Sequence, residues 1–280
     1  MSTVSPEDYA ELADALLGPV LEAGALIMSY FGGSVSVDTK DDNSPVTEAD
    51  RRAEDILVNA LDRLLPDVPA VGEERMSAGA SPDVAGELFL IDPLDGTRGF
   101  IKGRREFTVN VGYAAEGTAR FGIIYAPALG LFYASTGPRS AIRMVLQPDA
   151  RPGPIASFAP ETIETRALDR AKLTAVSSRY ISKDLTKRLE ALGAQRIDSN
   201  SSIKFCRVAE GAADIYPRYG TISEWDTAAG AAILKAAGGC VTALDGSEAL
   251  YGKVGRAFEN DPFIAWSTPG PPRDLLEALS

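Results

Sequence analysis

The first 65 residues show the hydrophobic spacing of two helices. Apolar side chains recur every three or four positions within residues 6–31 and again within residues 47–65, and charged residues fill the opposite face of the second segment. This spacing is typical of helices that bury one face. Pro6 is a suitable first-turn residue for the first helix, and Thr47 is the expected N-cap of the second.

The next segment alternates between apolar, β-rich runs and turn residues. Five runs are predicted to be strands: residues 68–72, 87–92, 107–115, 119–127 and 129–135. Because turn residues separate the middle three closely, we expect those three to form an antiparallel meander.

Beyond residue 160 the pattern changes to an alternation of strands and helices. Strands are predicted at 171–178, 194–199 and 213–218, and helices at 182–193, 202–211 and 224–239. Such alternation is typical of an α/β arrangement. Residues 147–160, which are rich in proline, glycine and alanine, precede this alternation. They are the candidate seam, that is, the boundary between two halves of the chain. We therefore predict a single unit over residues 1–280, with an α+β half (1–146) packed closely on an α/β half (147–280).

Charge and composition restrict the chemistry. The formal net charge is −11, so no basic field would attract nucleic acid or an anionic membrane, and an anionic substrate would need a local cation. The chain has no histidine. This absence excludes Ser-His-Asp and Cys-His catalysis and histidine zinc sites. Carboxylates, hydroxyls, lysines and oxygen-bound metals remain.

Cysteine usage and the N-terminus bear on location. Cys206 and Cys240 lie in apolar surroundings and are predicted to be reduced, packed thiols, although a disulfide stays open. The N-terminus is acidic and lacks the basic and apolar regions of a signal peptide. No apolar run is long enough to span a bilayer. We expect a cytoplasmic protein, and peripheral association with the inner membrane stays open.

The motif IDPLDGT suggests a metal site at the end of a buried strand. Asp92 ends the apolar run ELFLI, and Pro93 cannot continue a central β-ladder, so we expect the chain to turn there. A turn would bring Asp92 and Asp95 together around the Leu94 carbonyl. Carboxylate and carbonyl oxygens are ligands that Mg²⁺ prefers. An ordinary strand-turn without a metal is about equally compatible with this motif alone.

The residues that follow could hold a phosphate. Gly96 and Thr97 are predicted to open a short helix, whose free N–H groups and dipole favour an anion. One short stretch could therefore place a metal and a phosphate side by side.

Three further acidic positions strengthen the metal interpretation. Glu73 and Glu74 end another apolar strand, Asp50 follows the helix start at Thr47, and Asp226 opens a helix in SEWDTAAG. Taken singly, these are ordinary features: a solvated acid pair, a first-turn acid and an N-cap aspartate. Taken together in a chain without histidine, they favour a carboxylate cage for two or three divalent cations.

At this point a family resemblance appears. The motifs DNSPVTEAD, GEE, DPLDGT and WDTAAG, in this order, resemble the inositol monophosphatase superfamily of lithium-sensitive, Mg²⁺-dependent phosphatases. Residues 92–112 and 199–239 resemble its CysQ-type 3′(2′),5′-bisphosphate nucleotidase branch, except that Gly99 stands where this branch more often has an acid. The resemblance implies an α/β (α+β) fold, the layered αβαβα sandwich also found in fructose-1,6-bisphosphatase.

The resemblance also implies roles for the acidic residues. It assigns the first Mg²⁺ to Glu73, Asp92 and the Leu94 carbonyl, the second to Asp92, Asp95 and Asp226, and a loosely bound third to Asp50. Thr97 would orient the attacking water together with Glu73 or Asp50. The N–H groups of Gly96 and Thr97 would hold the phosphate, beside Glu73, Leu94, Asp95 and Asp226.

The substrate prediction rests on fewer residues. Lys204 and Arg218 could meet the second phosphate of a bisphosphate nucleotide, and Ser201 and Ser202 could add hydroxyl contacts. The alternative is that Lys204 and Arg218 are surface charges, and for Arg218 this is equally compatible with the sequence. The tyrosines at 216 and 219 are more often core residues than base-stacking ones.

The predicted function is hydrolysis of the 3′-phosphate of 3′-phosphoadenosine 5′-phosphate to AMP, with the sulfated parent nucleotide as a second substrate, in sulfur assimilation. The alternative is inositol monophosphatase or fructose-1,6-bisphosphatase activity on the same fold. A metal-binding scaffold without catalysis is a further alternative, but it would show a lost cage acid or a missing Thr97. The predicted partners are a small phosphorylated nucleotide and no nucleic acid, and homodimer formation stays open.

Overall fold

A computed structural model of the chain describes residues 4–32, 37–39, 45–80, 82–84, 86–146 and 150–280. Residues 42–44 of the first quoted motif and residues 147–149 of the predicted seam lie outside this part of the chain.

The described residues form eight α-helices and sixteen strands. The helices are α1 (Tyr9–Tyr30), α2 (Glu48–Leu64), α3 (Glu73–Ser77), α4 (Thr97–Ile101), α5 (Lys183–Ala191), α6 (Ile203–Ala209), α7 (Ala228–Ala236) and α8 (Arg273–Leu279). The strands up to residue 163 are β1 (Val37–Thr39), β2 (Pro45–Thr47), β3 (Ala70–Gly72), β4 (Glu87–Asp95), β5 (Thr108–Ala115), β6 (Thr118–Ala126), β7 (Leu131–Gly137), β8 (Ser140–Val145) and β9 (Glu161–Ile163). The later strands are β10 (Thr174–Ser177), β11 (Gln195–Asp198), β12 (Ile215–Arg218), β13 (Ile222–Ser223), β14 (Cys240–Ala243), β15 (Glu259–Asn260) and β16 (Phe263–Trp266).

These elements stack in five layers. Within the described ranges, α1 and α2 cover one face of a seven-stranded sheet, and α6 and α7 lie between that sheet and a five-stranded sheet. Helices α5 and α8 cover the far face of the second sheet. Each helix layer shares an apolar cluster with the sheet it covers, which accounts for the stacking. The predicted αβαβα sandwich is confirmed.

The first sheet has the order β3-β4-β5-β6-β7-β8-β9 among the described residues. Strands β3 and β4 are parallel, and the other neighbours are antiparallel. The predicted meander of β4, β5 and β6 is confirmed, and it continues into β8 and β9, which the apolar pattern did not identify. Strand β9 follows the predicted boundary at residue 146, so the first sheet takes one strand from beyond that point.

The second sheet has the order β11-β10-β12-β16-β14 in the described part of the chain. Strands β11, β10 and β12 are parallel, and β16 runs antiparallel to β12 and β14. The predicted alternation from β10 to α7 is confirmed. The helix predicted over 224–239 is divided into a 3₁₀ turn, Glu224–Asp226, and α7. The cap of α7 is Thr227, so the alternative that treated Asp226 as an N-cap is wrong.

Glycines allow α7 to lie directly on the first sheet. A Cβ added at Gly122 of β6 would fall 2.3 Å from the carbonyl oxygen of Ala229, and one at Gly112 of β5 would fall 2.7 Å from Ala228 Cβ. Side chains at these positions would push the helix away from the sheet. This close approach brings the N-terminal end of α7, and with it Asp226, next to the metal-ligand candidates of β4.

Strand β4 differs from its prediction. We expected it to end at Asp92 and turn at Pro93, which is wrong, because the strand continues to Asp95. Asp92 pairs with Asn110 and Asp95 pairs with Thr108, so β4 holds one more residue than β5 over this interval. A β-bulge accommodates the extra residue. Pro93, which has no N–H to donate, lies within this interval, where the β-ladder is interrupted.

The first helix has the length and composition of a membrane span, but it packs as a core helix. Among the described residues, one segment, Pro6–Tyr30, is long and apolar enough to cross a membrane by length and composition, and half of its most apolar window is buried in the protein. Leu16, Val20 and Ile27 of this segment are fully buried in the cluster beneath the first sheet. This is the packing of a core helix. The absence of a membrane span stays a prediction.

Candidate active site

Helix α2 begins beside the candidate site. Thr47 caps it by accepting a hydrogen bond from Ala49 N at 3.2 Å, as predicted. Asp50, which is 2 % exposed, completes the cap by accepting a bond from Thr47 N at 2.8 Å. Its other oxygen lies 3.1 Å from Thr97 Oγ1, and that hydroxyl also lies 3.0 Å from the Leu94 carbonyl oxygen. The single Thr97 proton can therefore go to either acceptor.

Three carboxylates converge at one point. Strand β3 runs parallel to β4 with Gly72 paired to Ile91, so Glu73 leaves β3 beside Asp92. The 3₁₀ turn after β13 brings Asp226 to the same place. One oxygen from each of Glu73, Asp92 and Asp226 lies within 4.8 Å of the other two. These residues are far apart in sequence, and the sandwich brings them together.

The electrostatics of this cluster favour a cation. Burial, reinforced by Glu73, Asp226 and Asp95, raises the pKa of Asp92 well above its usual range. Burial and the neighbouring carboxylates raise the pKa of Asp226 in the same way. Part of each shift comes from repulsion between the ionised carboxylates. A divalent cation would relieve this repulsion, and an all-oxygen donor set suits Mg²⁺. The residues present therefore fit a metal site.

Asp95 is held by a serine from the second half. Ser202 Oγ lies 2.9 Å from Asp95 Oδ2 and 2.8 Å from the Asp226 carbonyl oxygen, and it accepts a bond from Asn110 Nδ2 at 2.9 Å. Ser202 is 2 % exposed. Its hydroxyl is thus already engaged within the protein, where it links the two segments that carry Asp95 and Asp226.

Gly96 and Ser201 fit against each other where α4 begins. Gly96 has φ +100°, a left-handed conformation that glycine adopts without strain, and it precedes α4 as predicted. A Cβ at Gly96 would fall 2.4 Å from Ser201 Oγ. Ser201 itself has φ +53°, and its hydroxyl donates to the Asp95 carbonyl oxygen at 2.8 Å. Any larger residue at 96 would separate these two segments.

Lys204 and Arg218 line a cleft of about 500 Å³ that also contains Asp95 and Asp226. Lys204 is only 5 % exposed, so its alternative as a surface charge is wrong. Its ammonium donates to the Ser201 carbonyl oxygen at 2.7 Å and lies 5.3 Å from the centre of the Tyr216 ring. Burial, with a smaller contribution from Arg218, lowers the pKa of Lys204 to about 8, although the carboxylates of Asp95 and Asp226 act in the opposite direction. Arg218 is half-buried and donates to the Thr221 carbonyl oxygen at 3.3 Å.

The two tyrosines and two cysteines follow their structural predictions. Tyr216 packs edge-on against Phe205 and Phe263, with ring centroids 5.1 and 5.3 Å away. Tyr219 donates through its hydroxyl to the Leu279 carbonyl. Cys206 and Cys240 are free thiols.

Some residues around the site were not identified from the sequence. Glu54, one turn after Asp50 on α2, accepts hydrogen bonds from Glu74 N at 2.7 Å and Arg75 N at 2.9 Å. Glu224 is fully buried, accepts from Gly252 N at 2.6 Å and pairs with Lys253 Nζ at 2.9 Å, which fixes the turn that carries Asp226. The cleft is also lined by Arg98, Arg104, Glu106 and Tyr180. The sequence offered one signal that could have identified Glu54: it lies four residues after Asp50 and therefore on the same face of the predicted helix.

A larger cleft lies elsewhere. It has a volume of about 660 Å³ and is lined by small and apolar residues together with Lys235, Glu248 and Arg139. None of the predicted site residues lines it. The smaller cleft, which adjoins the carboxylate cluster, is the one that carries candidate chemistry.

Comparison with known proteins agrees with this geometry. The model of the inositol monophosphatase family matches residues 8–270. The 3′(2′),5′-bisphosphate nucleotidase CysQ of Salmonella typhimurium is 37% identical over 238 residues, covering 82% of this chain and 89% of that protein. A histidinol-phosphatase of Mycobacterium tuberculosis is 31% identical over 237 residues, with 82% and 86% covered.

The fold comparison gives the same family. The crystal structure of CysQ from Bacteroides thetaiotaomicron superimposes with a TM-score of 0.74 and 31% identity, covering 94% of this chain and 99% of that one. The match of the family model, the shared sandwich and the acidic cluster point in one direction. The chain belongs to the inositol monophosphatase family of phosphatases.

Proposed function

We propose that this protein is a Mg²⁺-dependent phosphomonoesterase that removes the 3′-phosphate of 3′-phosphoadenosine 5′-phosphate, giving AMP and phosphate. The observation that carries the proposal is the buried ammonium of Lys204 on the wall of the cleft that holds Asp95 and Asp226. Its similarity to the CysQ nucleotidases supports the same substrate. The sulfated parent nucleotide is the second proposed substrate, in sulfur assimilation in the cytoplasm, and residues 1–280 act as one phosphatase unit.

The residues that would hold two or three Mg²⁺ ions are those of the cage. They are Glu73, Asp92, the Leu94 carbonyl, Asp95 and Asp226, with Asp50 for a third ion. When bound, Mg²⁺ supplies an activated water and offsets the charge on the phosphate oxygens. The carboxylate cluster, in which burial and neighbouring carboxylates raise the pKa of Asp92 and of Asp226, fits that role.

The protein's own groups position the reactants. Thr97 Oγ1, placed between Asp50 Oδ1 and the Leu94 carbonyl, is the proposed orienting group for the attacking water. Asp50 or Glu73 is the proposed acceptor of the proton that the attacking water loses. The N–H groups at Gly96 and Thr97 open helix α4, where no earlier carbonyl is available to them, and would bind the phosphate.

The second anionic group of the substrate would meet Lys204 on the wall of the cleft. Of the three ammonium protons of Lys204, one points to the Ser201 carbonyl, which leaves two for a ligand. A lysine is a compact charge well suited to a phosphate that does not react. Arg218 is the proposed second contact. Ser201 and Ser202 would affect substrate binding indirectly, by fixing the position of Asp95, because both hydroxyls already bind protein oxygens.

A substrate panel tests the proposal. Phosphate release would be measured with 3′-phosphoadenosine 5′-phosphate, inositol 1-phosphate, fructose 1,6-bisphosphate and histidinol phosphate, each with Mg²⁺ and with excess EDTA. The similarity to a histidinol-phosphatase places the last compound in the panel. We expect the bisphosphate nucleotide to give the highest kcat/KM and EDTA to abolish turnover. A higher kcat/KM for any of the other three would overturn the substrate, and full activity in EDTA would overturn the metal.

A further inference from the structure

A buried glutamate lies directly behind the carboxylate cluster. Glu54 of α2 is 1 % exposed, and each of its two carboxylate oxygens accepts one backbone N–H bond at the start of α3: Oε2 from Glu74 at 2.7 Å and Oε1 from Arg75 at 2.9 Å. The Arg75 guanidinium approaches Oε1 to 3.8 Å. Helix α3 begins at Glu73. The Glu54 carboxylate therefore fixes the backbone immediately after Glu73, the nearby member of the carboxylate cluster, through two hydrogen bonds.

The chain makes room for this contact at the preceding residue. A Cβ added at Gly72 would fall 2.3 Å from Glu54 Cδ and 2.5 Å from its Oε2. Gly72 is the last residue of β3 and is paired to Ile91, next to Asp92. Any side chain here would displace the carboxylate, so the glycine and the glutamate form one arrangement.

The same helix face carries a second contact of this kind. Asp50, one turn before Glu54, lies 3.1 Å from Thr97 Oγ1 at the start of α4. Positions i and i+4 share a face. One face of α2 thus holds both helix starts that adjoin the cluster, α3 through Glu54 and α4 through Asp50.

The position of Glu54 has an electrostatic cost. Burial raises the pKa of Glu54, and the nearby Glu73 carboxylate raises it further, while the two N–H bonds and Arg75 lower it. An anion placed behind a group of anions adds to their repulsion. The two N–H bonds and the Arg75 guanidinium offset part of this cost.

We propose that Glu54 is a positioning residue, which fixes the backbone at Glu73–Arg75 so that the Glu73 carboxylate is pre-set for a divalent cation. The inference rests on the metal site of the proposed function. A glutamine at position 54 would keep one acceptor and turn an NH₂ group toward the other backbone N–H. Groups that orient metal ligands typically change metal affinity by about 10- to 100-fold when they are replaced.

The test measures metal binding directly. Mn²⁺, used as the probe ion, would be titrated into the full-length protein without substrate, with free Mn²⁺ followed by electron paramagnetic resonance. For Glu54→Gln we expect Mn²⁺ affinity to fall by about 10- to 100-fold. In steady-state assays the Mg²⁺ concentration needed for half-maximal activity should rise in parallel. KM for the nucleotide at saturating Mg²⁺ should stay unchanged.

The matched control is Asp214→Asn. Asp214 is also fully buried and accepts a backbone bond, from Thr174 N at 2.7 Å, together with two from Arg166. It precedes β12, whereas the cleft residue Arg218 ends that strand. This variant should lose thermal stability and keep Mn²⁺ affinity.

Each outcome decides the proposal. If Glu54→Gln loses stability as Asp214→Asn does but binds Mn²⁺ normally, Glu54 is a stability residue and the inference is wrong. Should Glu54→Gln not fold, Glu54→Asp, which keeps the charge on a shorter arm, enters the same titration, and failure of both to fold also overturns the inference. If the wild-type protein binds no Mn²⁺, the proposed function itself fails at the metal site.

Discussion

Replacing Lys204 by alanine tests substrate recognition most directly. The ammonium is buried on the wall of the cleft, 2.7 Å from the Ser201 carbonyl oxygen, so its attraction to a ligand is screened less than that of a surface charge. A hydrogen bond to a charged group contributes about 1.5–3 kcal/mol. We therefore expect kcat/KM for 3′-phosphoadenosine 5′-phosphate to fall by roughly 10- to 100-fold.

The effect should depend on the substrate and not on the metal. Inositol 1-phosphate lacks the second phosphate, so its hydrolysis should change little in Lys204→Ala. Metal affinity should also be unchanged, because Lys204 is not among the cage residues. The control is Lys235→Ala, which removes an exposed lysine paired with Glu248 at 2.9 Å, outside this cleft.

The pKa of Lys204 adds a second, independent readout. With a pKa of about 8, the group is charged in about nine of ten molecules at pH 7 and about one in ten at pH 9. The ratio of kcat/KM for the bisphosphate to that for inositol 1-phosphate should therefore fall as pH rises through 8. Taking the ratio cancels pH effects on the shared chemistry.

Two variants make the pH test specific. In Lys204→Arg the guanidinium stays charged throughout, so the ratio should lose its pH dependence. In Lys204→Ala the ratio should be low and flat. If both substrates lose activity equally in Lys204→Ala, the lysine is structural or catalytic, and if neither loses activity, it does not recognise the second phosphate.

The remaining predictions concern the cage. Asp95→Asn should keep the fold but lose at least about 100-fold in kcat, because the metal loses a charged ligand, and Asp226→Asn should behave alike; near-normal turnover of either with Mg²⁺ would mean that the cage is misassigned. Chelation should abolish activity and added Mg²⁺ should restore it, as phosphate release would show. Because the folded pKa of Asp92 and Asp226 is raised, their stabilising contribution in metal-free protein is present below the unfolded pKa and is lost as pH rises through the raised values. Mg²⁺ should therefore raise the melting temperature more at pH 8 than at pH 5, and equal shifts would contradict this reasoning.

The layer arrangement was largely predictable because its elements follow hydrophobic periodicity. Helix α2 and strands β4 to β6 carry clear patterns, and each was identified within a few residues. Strands β8 and β9 were missed because β8 does not alternate strictly between buried and exposed positions, and the edge strand β9 has three residues of which two are exposed. Periodicity is weak in such strands, and pairing with neighbours determines them.

The residues of the candidate site also fall into two groups, those that could be predicted from the sequence and those that could not. Asp50, Glu73, Asp92 and Asp226 could be selected as acids at element ends, because the ends of adjacent strands and helices meet in a layered fold. The partners that hold them could not be selected. Ser202 reaches Asp95 across a separation of 107 residues, and only the packing of α6 against the first sheet creates that contact.

The DPLD segment shows how a wrong local prediction can still anticipate two acids on one face of a strand. In a regular strand, side chains three residues apart point to opposite faces, so Asp92 and Asp95 could not converge without a change in the backbone. We expected a turn to supply that change. The structure supplies it with a bulge, in which the interval of three residues on β4 spans only two on β5, from Asn110 to Thr108. The extra residue restores the two acids to the same face, and Pro93, which has no N–H to leave unpaired, lies within that interval. The motif therefore brings the two carboxylates to one face of the strand by inserting an extra residue, and not by reversing the direction of the chain.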